Sequence, residues 1–294
     1  MKVLLTGAHG KVGRAASKAL QEAGHQVTEV DLTRPTFERK PAGAPKYIHA
    51  DITDPGQAFS VTYGHDAVVH LAAIPEPTGN TPHTVFNTNL MATFNMIEAA
   101  VRFGVKRFVN ISSETVPGFF FPERPFLPDY APVDELHPKH PQDPYALSKM
   151  FGESLMDAAV ERSDIDCISI RPSWVQFEDN YENNLGPQIR DASILSPNLW
   201  SYIDVYDLAD AIVLATESDL PNHEVFYIAS PDNVGGHNFA NVLKQYYGDK
   251  IELRKLDRTD ASGISSAKAM KLLNWTPKRS WRDYLDSDGY SLKK

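Results

Sequence analysis

Tyr145 and Lys149 stand four residues apart at the start of a stretch with helical periodicity, so both side chains leave one face of a helix a turn apart. A phenol with a pKa of about 10 is a poor base at neutral pH; an ammonium beside it favours the phenolate and lets it take or return a carbinol proton. That is the proton half of a hydride transfer. The same spacing recurs at Tyr246/Lys250 and Tyr290/Lys294. Gly248 breaks the first of these as a helix end would, and the second falls in a terminus expected to fray. Only Tyr145/Lys149 follows a strand-like run that ends in hydroxyls, Val109-Asn110-Ile111-Ser112-Ser113, whose tip places Ser113 to hydrogen-bond and orient the reacting oxygen.

The hydride half needs a redox dinucleotide, and the N-terminal residues read as its site. The apolar run Lys2–Thr6 opens into Gly7-Ala8-His9-Gly10-Lys11-Val12-Gly13, and a second run, Gln26–Val30, ends on Asp31. Glycines at this spacing let a strand turn tightly into a helix whose N-terminal amides face a pyrophosphate. Asp31 is placed to accept hydrogen bonds from the adenosine ribose and to repel the additional phosphate of NADP. NAD is therefore the expected cofactor and NADP the less favoured one, with Arg34 the residue able to reverse the preference. Lys149 would also hold the nicotinamide ribose.

The elements that must carry these groups are legible as periodicity. Strand-like runs fall at Lys2–Thr6, Gln26–Val30, Lys46–Ala50, Ala67–Ala73, Arg107–Ile111, Asp166–Ile170 and Glu224–Ala229, with helical patterns at Lys11–Ala23, Thr84–Phe103, Pro144–Arg162 and Val205–Glu217. Continuous apolar runs alternating with helices predict a doubly wound α/β fold around a parallel sheet. Residues 1–172 read as the dinucleotide-binding domain and 173–294 as mainly a smaller, interleaved substrate lobe, with 200–229 returning to the first domain. The proline-rich stretch Pro117–Pro144, with Phe119, Phe120 and Phe121 at its start, reads as a lid over the site.

Composition narrows the class. Lys and Arg number 29 against 38 Asp and Glu, a net charge of −9 that disfavours nucleic acid as a partner. Cys167 is the single cysteine, so no intrachain disulfide and no thiol metal cluster is possible. No signal-peptide region or membrane-spanning run is evident, and a cytoplasmic protein is expected. His137 and His140 flank prolines that preclude a regular helix and lack a third ligand, so they are read as solvent-exposed loop residues and no metal is expected. Glu98, Lys106 and Arg107 read as solvated surface charges.

Taken together the motifs resemble the extended, NAD-dependent epimerase/dehydratase branch of the short-chain dehydrogenase/reductase superfamily. Thr6–Gly13 is similar to its TGxxGxxG, Asp51-Ile52-Thr53-Asp54 to its adenine-contacting acidic motif, and His70-Leu71-Ala72-Ala73 to the strand lining the cofactor. Asn89-Leu90-Met91-Ala92-Thr93 resembles NxxGT with Ala92 for glycine, Ser112–Val116 resembles SSxxV, and Tyr145–Lys149 resembles YxxSK. Arg171-Pro172 begins the strand-end motif near nicotinamide, Tyr202–Ala209 resembles YIHVDDLA with Asp204 and Tyr206 substituted, and Trp275-Thr276-Pro277 resembles the C-terminal W-x-P element. The resemblance implies cofactor roles for Gly7, His9, Gly10, Lys11, Val12, Gly13, Asp31, Asp51, Ile52, Leu71, Ala72, Ala73, Asn89, Tyr145, Lys149 and Pro172. It also implies catalysis by Ser113, Tyr145 and Lys149, and a homodimer through the helices 84–103 and 144–162.

Departures from the family pattern bear on substrate. Trp174 stands where nucleotide-sugar members carry an asparagine for the diphosphate, and Trp200 replaces an arginine. Ser113-Glu114 and Phe151–Leu155 are similar to uronate dehydrogenases, except that Glu114 occupies the place of a neutral polar residue facing the substrate carboxylate, which an ionised Glu114 would repel. The substrate contacts are assigned to Ser113, Glu114 and Trp174. The expectation is hydride transfer on a small sugar, sugar acid or polyol, with a UDP-glucose 4-epimerase-like reaction as the alternative.

Overall fold

Val3, Leu4 and Leu5 are fully buried along the first strand, and Val68 and Val69, and Val109 and Ile168, repeat the pattern in the strands that follow. Runs with no polar face form where both sides of a sheet are covered by helices. The computed structural model describes residues 1–33, 43–191 and 193–292. In chain order its elements begin β1 (Lys2–Thr6), α1 (Lys11–Glu22), β2 (Gln26–Asp31), β3 (Lys46–His49), α2 (Pro55–Thr62), β4 (Ala67–His70), α3 (Pro82–Arg102) and β5 (Arg107–Ile111). They continue β6 (Tyr130–Ala131), α4 (Pro144–Arg162), β7 (Asp166–Pro172), β8 (Val175–Gln176), α5 (Tyr181–Asn184), α6 (Gly186–Arg190), β9 (Ile203–Asp204), α7 (Val205–Glu217) and β10 (His223–Ile228).

These strands build a seven-stranded sheet in the order β10-β7-β5-β4-β1-β2-β3, with parallel pairing throughout from β7 to β3. The order reverses at β1, which pairs with both β2 and β4. In open α/β sheets the crevice outside the strand ends at such a reversal takes the ligand. The doubly wound parallel architecture read from the sequence is the architecture of the protein.

Packing divides the chain into two compact units. The first comprises Met1–Ser112, Asp143–Ile170 and Ala209–Val225; the second comprises Ser113–Gln142, Arg171–Leu208 and Phe226–Lys294. The first unit has an aliphatic core that includes Leu4, Val30, Val68, Met96, Ile97, Phe108 and Met156. The second is aromatic, built on Phe119, Tyr181, Trp200, Tyr202, Tyr227, Phe239 and Trp281. A helix α8 (Phe239–Tyr247) contributes to it and ends at Gly248 with φ of 62°, the helix end that the glycine predicts.

Three readings of the sequence are corrected. Strand β4 stops at His70 rather than Ala73, because the amides of Leu71 and Ala72 turn to Thr6, bonding its carbonyl at 3.2 Å and its Oγ1 at 3.3 Å. The stretch 117–144 is not exposed at its start, and His137 within it is not the solvent-exposed loop residue read from the sequence. Phe119 and Phe120 are buried in the aromatic core, Gly118 packs its α-carbon against the His140 carbonyl, and His137 is buried with Nε2 accepting the Asp129 amide at 3.0 Å. Arg107 is not a solvated charge either: it is buried, donating to the Ser218 carbonyl at 2.6 Å and lying 3.9 Å from Asp166. Arg34 and Lys294 lie outside the described residues.

Candidate active site

In the first unit the glycine loop is closed by contacts that admit no side chain. Gly7 has φ of +68°, and a Cβ there would sit 2.7 Å from the Ala72 nitrogen; one on Gly13 would sit 2.1 Å from the Gly7 carbonyl oxygen. Helix α1 starts at Gly10 with no side-chain cap and no acid in its first turn, so its leading amides are left for an anion. Lys11 is exposed and Val12 half-buried at this end.

Asp31 closes the other end. Its Oδ2 accepts the His9 amide at 3.0 Å, and its Oδ1 accepts the Thr33 amide at 3.0 Å and hydroxyl at 2.9 Å. Burial would raise its pKa, but these donors outweigh burial and hold the carboxyl below its ordinary value. It therefore stays ionised, with acceptor capacity left on Oδ2 for ribose hydroxyls. The sequence reading missed Tyr47, whose ring stacks on His9 at 4.3 Å with planes 11° apart and whose hydroxyl donates to the Asp31 carbonyl at 3.2 Å.

The wall beyond β4 is pinned by Asn89. Its Oδ1 accepts the Ile74 amide at 2.7 Å, while its Nδ2 donates to the Ile74 carbonyl at 3.0 Å and the Ser148 hydroxyl at 3.3 Å. With both edges committed, Asn89 fixes the Leu71-Ala72-Ala73 segment and α4 in place. Asp51 and Ile52 follow Ala50, whose amide bonds the Asp31 carbonyl at 3.2 Å. The Asp51 carboxylate is turned onto the Thr53 amide and hydroxyl, and the Ile52 carbonyl accepts from Asn95.

Asp143 caps α4 by accepting the Ala146 amide at 2.8 Å, which fixes the turn that carries Tyr145. The buried face of this helix is partly polar, with Ser148, Lys149 and Glu153 among Ala146, Met156 and Ala159. Lys149 Nζ donates to the Ile111 carbonyl at 2.7 Å and lies 5.6 Å from the centre of the Tyr145 ring. Among the described residues no carboxylate pairs with it, and burial lowers its pKa to about 8. Beneath it His70 links Thr6 Oγ1 at 2.8 Å to Thr93 Oγ1 at 3.1 Å; burial first, then the Lys149 charge, lowers its pKa to about 3, so it is a neutral strut.

The second unit holds Ser113, Glu114, Pro172 and Trp174. Ser113 Oγ accepts from both the amide of Thr115 at 3.1 Å and its hydroxyl at 3.0 Å, two bonds that fix the oxygen without using its proton. Glu114 is buried, its amide bonds the Pro172 carbonyl at 3.2 Å, and its Oε2 lies 2.5 Å from Ser173 Oγ. Asn198 Nδ2 approaches Oε1 at 3.5 Å. Burial pushes the carboxyl up to about 8, more than the Ser173, Asn198 and Trp174 amide bonds can offset, so Glu114 is uncharged at neutral pH rather than the repelling carboxylate that the sequence raises. Trp174 packs its half-buried ring against the aromatic core, and Trp200 is fully buried on Phe239 and Tyr246. Nothing in the sequence pointed to Ser173, Asn198 or Thr115.

A glycine-bound helix N-terminus, an ionised acid at the tip of the second strand and a Tyr–Lys turn on α4 define a dinucleotide-dependent enzyme of the extended short-chain dehydrogenase type. The chain belongs to the NAD dependent epimerase/dehydratase family, whose model matches residues 3–229. It is 26% identical to a UDP-glucose 4-epimerase of Corynebacterium glutamicum over 95% of this chain and 92% of that one. It is 28% identical to an L-arabinose 1-dehydrogenase (NAD(P)(+)) of Haloferax volcanii over 75% of this chain and 84% of the relative. In fold it matches a short-chain dehydrogenase/reductase superfamily protein of Agrobacterium tumefaciens solved with bound NAD, at TM-score 0.72 and 22% identity, covering 98% of this chain and 96% of that one. NAD is the cofactor of the family, and the glycine cradle and ionised Asp31 fit it.

Proposed function

We propose that this protein is an NAD-dependent oxidoreductase that moves hydride to or from the hydroxyl or carbonyl carbon of a small sugar, sugar acid or polyol. The observation that carries the reading is the buried Lys149 ammonium, held on the Ile111 carbonyl one helical turn from the Tyr145 ring. NAD, when bound, supplies the acceptor or donor of the hydride. Gly7, Gly10, Gly13 and the α1 amides hold its phosphates, Asp31 its adenosine ribose, and Lys149 its second ribose. Tyr145 takes the proton of the hydroxyl being oxidised, the lysine charge stabilising the phenolate that does so. Ser113 donates its unused proton to the same oxygen and orients it; Glu114 and Trp174 contact the rest of the substrate. In this reading residues 1–172 bind NAD and 173–294 mainly the substrate, with 200–229 serving the first part.

The second reading, a nucleotide-sugar 4-epimerase that retains NAD, is supported by the near full-length match to the Corynebacterium glutamicum relative. NADH formation on free sugars separates the two: net reduction of NAD supports the first, whereas tightly held NAD with interconversion of UDP-hexoses and no net NADH supports the second. Tyr145→Phe is expected to bind NAD and to lose turnover; retained turnover overturns both.

Among the described residues no helix is long and apolar enough to cross a membrane, and we place the protein in the cytoplasm. A homodimer through α3 and α4 fits the exposed Met91, Phe94 and Phe151 on those helices, and light scattering tests it by mass.

A further inference from the structure

Glu114 sits three residues beyond the end of β5, at the carboxyl edge of the sheet where ligands of such folds bind. Its neighbours form a buried polar cluster made only of hydroxyls and amides. Ser173 Oγ lies 2.5 Å from Oε2, and Asn198 Nδ2 lies 3.5 Å from Oε1 and donates to the Ser201 carbonyl at 2.6 Å. Ser262 Oγ donates in turn to Ser201 Oγ at 2.8 Å, and Ser196 bonds Asn198 Oδ1. Glu114, Ser173, Asn198, Ser201 and Ser262 are each less than a tenth exposed. Among the described residues no lysine, arginine or histidine bonds to any of the five.

We propose that Glu114 serves the substrate site as an uncharged carboxylic acid and makes it select a neutral polyhydroxylated substrate, a free aldose or polyol, over the counterpart that carries a carboxylate. The inference rests on the oxidoreductase reading above and narrows its substrate class. A buried acid without a cation partner keeps its proton, because ionising it in a cluster of neutral dipoles costs more than those dipoles return. The proton lies between Oε2 and Ser173 Oγ, since the Asn198 amide and the Trp174 backbone can only donate. Oε1 is approached by the Asn198 amide at 3.5 Å, a contact long enough to leave it acceptor capacity for a substrate hydroxyl.

A sugar hydroxyl both donates and accepts, and so suits a group that is acceptor at one oxygen and protonated at the other. A substrate carboxylate only accepts. It would arrive as a second buried acid with no cation to meet it, and would leave its own lone pairs unpaired. The cluster therefore discriminates by what it lacks.

The test uses wild-type protein with NAD and matched pairs: glucose against glucuronate, and UDP-glucose against UDP-glucuronate. Expected is a kcat/KM for the member of each active pair whose sugar lacks the carboxylate about tenfold or more above that for the acid, the penalty of an unpaired buried polar group. Glu114→Gln, which keeps shape and neutrality, should preserve the order of substrates. Infrared difference spectra at pH 7 should show a protonated-carboxyl carbonyl stretch that vanishes in Glu114→Gln or, if that variant does not fold, moves in Ser173→Ala. Equal or faster turnover of the acids, or absence of the band, overturns the proposal and leaves the oxidoreductase reading standing. If no sugar is turned over, that reading fails. Calorimetry with NAD present then decides on Glu114, binding of the carboxylate-free member supporting it and acid-preferring or absent binding overturning it.

Discussion

Lys149 in the first unit and Glu114 in the second are both buried ionisable groups without an oppositely charged partner among the described residues, yet burial gives them opposite characters. Desolvation moves each toward its neutral form, and each comes to rest at about 8. For a base that value leaves a cation at pH 7; for an acid it leaves an uncharged group. Their surroundings match: the ammonium has a carbonyl oxygen and an aromatic face, both of which favour a cation, while the carboxyl has a hydroxyl and an amide. The same physical penalty thus leaves a charge on the base, where we propose that a phenol is activated, and removes one from the acid, where we propose that a polyol is bound.

The largest expected effect would break this comparison outright. Lys149→Met should lower kcat by about 10²–10⁴-fold, the range for loss of assisted proton transfer. Glu114→Ala should act mainly through KM, by about threefold to tenfold, since a lost hydrogen bond to substrate is worth about 1 kcal/mol. Steady-state kinetics on the best neutral sugar checks both. Equal losses in kcat would mean that the two groups share one role and that the contrast is wrong.

How far this was legible in the sequence follows from the range of the interactions. Tyr145 and Lys149 are a helical turn apart, so spacing alone puts them together, and Asp143 at the cap marks where the helix begins. Strand positions, though not every limit, could be read because burial on both faces leaves uninterrupted apolar runs such as Val3-Leu4-Leu5. Glu114 meets Ser173 across 59 residues and Asn198 across 84, and no periodicity records such a meeting. The stretch 117–144 was only partly legible for the same reason: prolines announce an irregular path, but the burial of Phe119 and Phe120 depends on the distant aromatics they pack against.

A second measurement sharpens the comparison through stability. Glu114 binds its proton up to about pH 8 in the folded chain against an ordinary 4.5, so its favourable contribution is complete below 4.5 and is lost as pH rises through about 8. Lys149 has its folded pKa lowered from 10.5 to about 8, so its contribution is complete above 10.5 and is lost as pH falls through about 8. The difference in Tm between Glu114→Gln and wild type should therefore grow with rising pH from about 5 to 8. That between Lys149→Met and wild type should grow with falling pH from about 10 to 8. Thermal melts across both windows check the opposed slopes, and parallel slopes would remove the basis of the comparison.

The smallest effect concerns a constellation that has the distances of a catalytic triad and none of its access. His223 Nδ1 lies 2.6 Å from Asp157 Oδ1, and its Nε2 lies 2.8 Å from Ser169 Oγ, which also accepts from Asn110 Nδ2 at 3.2 Å. Ser169 is fully buried within β7, so no acyl group can reach its hydroxyl, and the chain of bonds ties α4, β10, β7 and β5 together. Removing one member leaves a buried polar group unpaired, a cost of about 1–3 kcal/mol. Ser169→Ala should thus lower Tm by a few degrees in thermal melts, about 2–4 °C per kcal/mol for a chain of this size, while kcat and KM stay at wild-type values. A fall in kcat comparable with that of Lys149→Met would make the His223 chain part of the chemistry, because a purely structural tie between strands has no route to the proton that we propose Tyr145 moves.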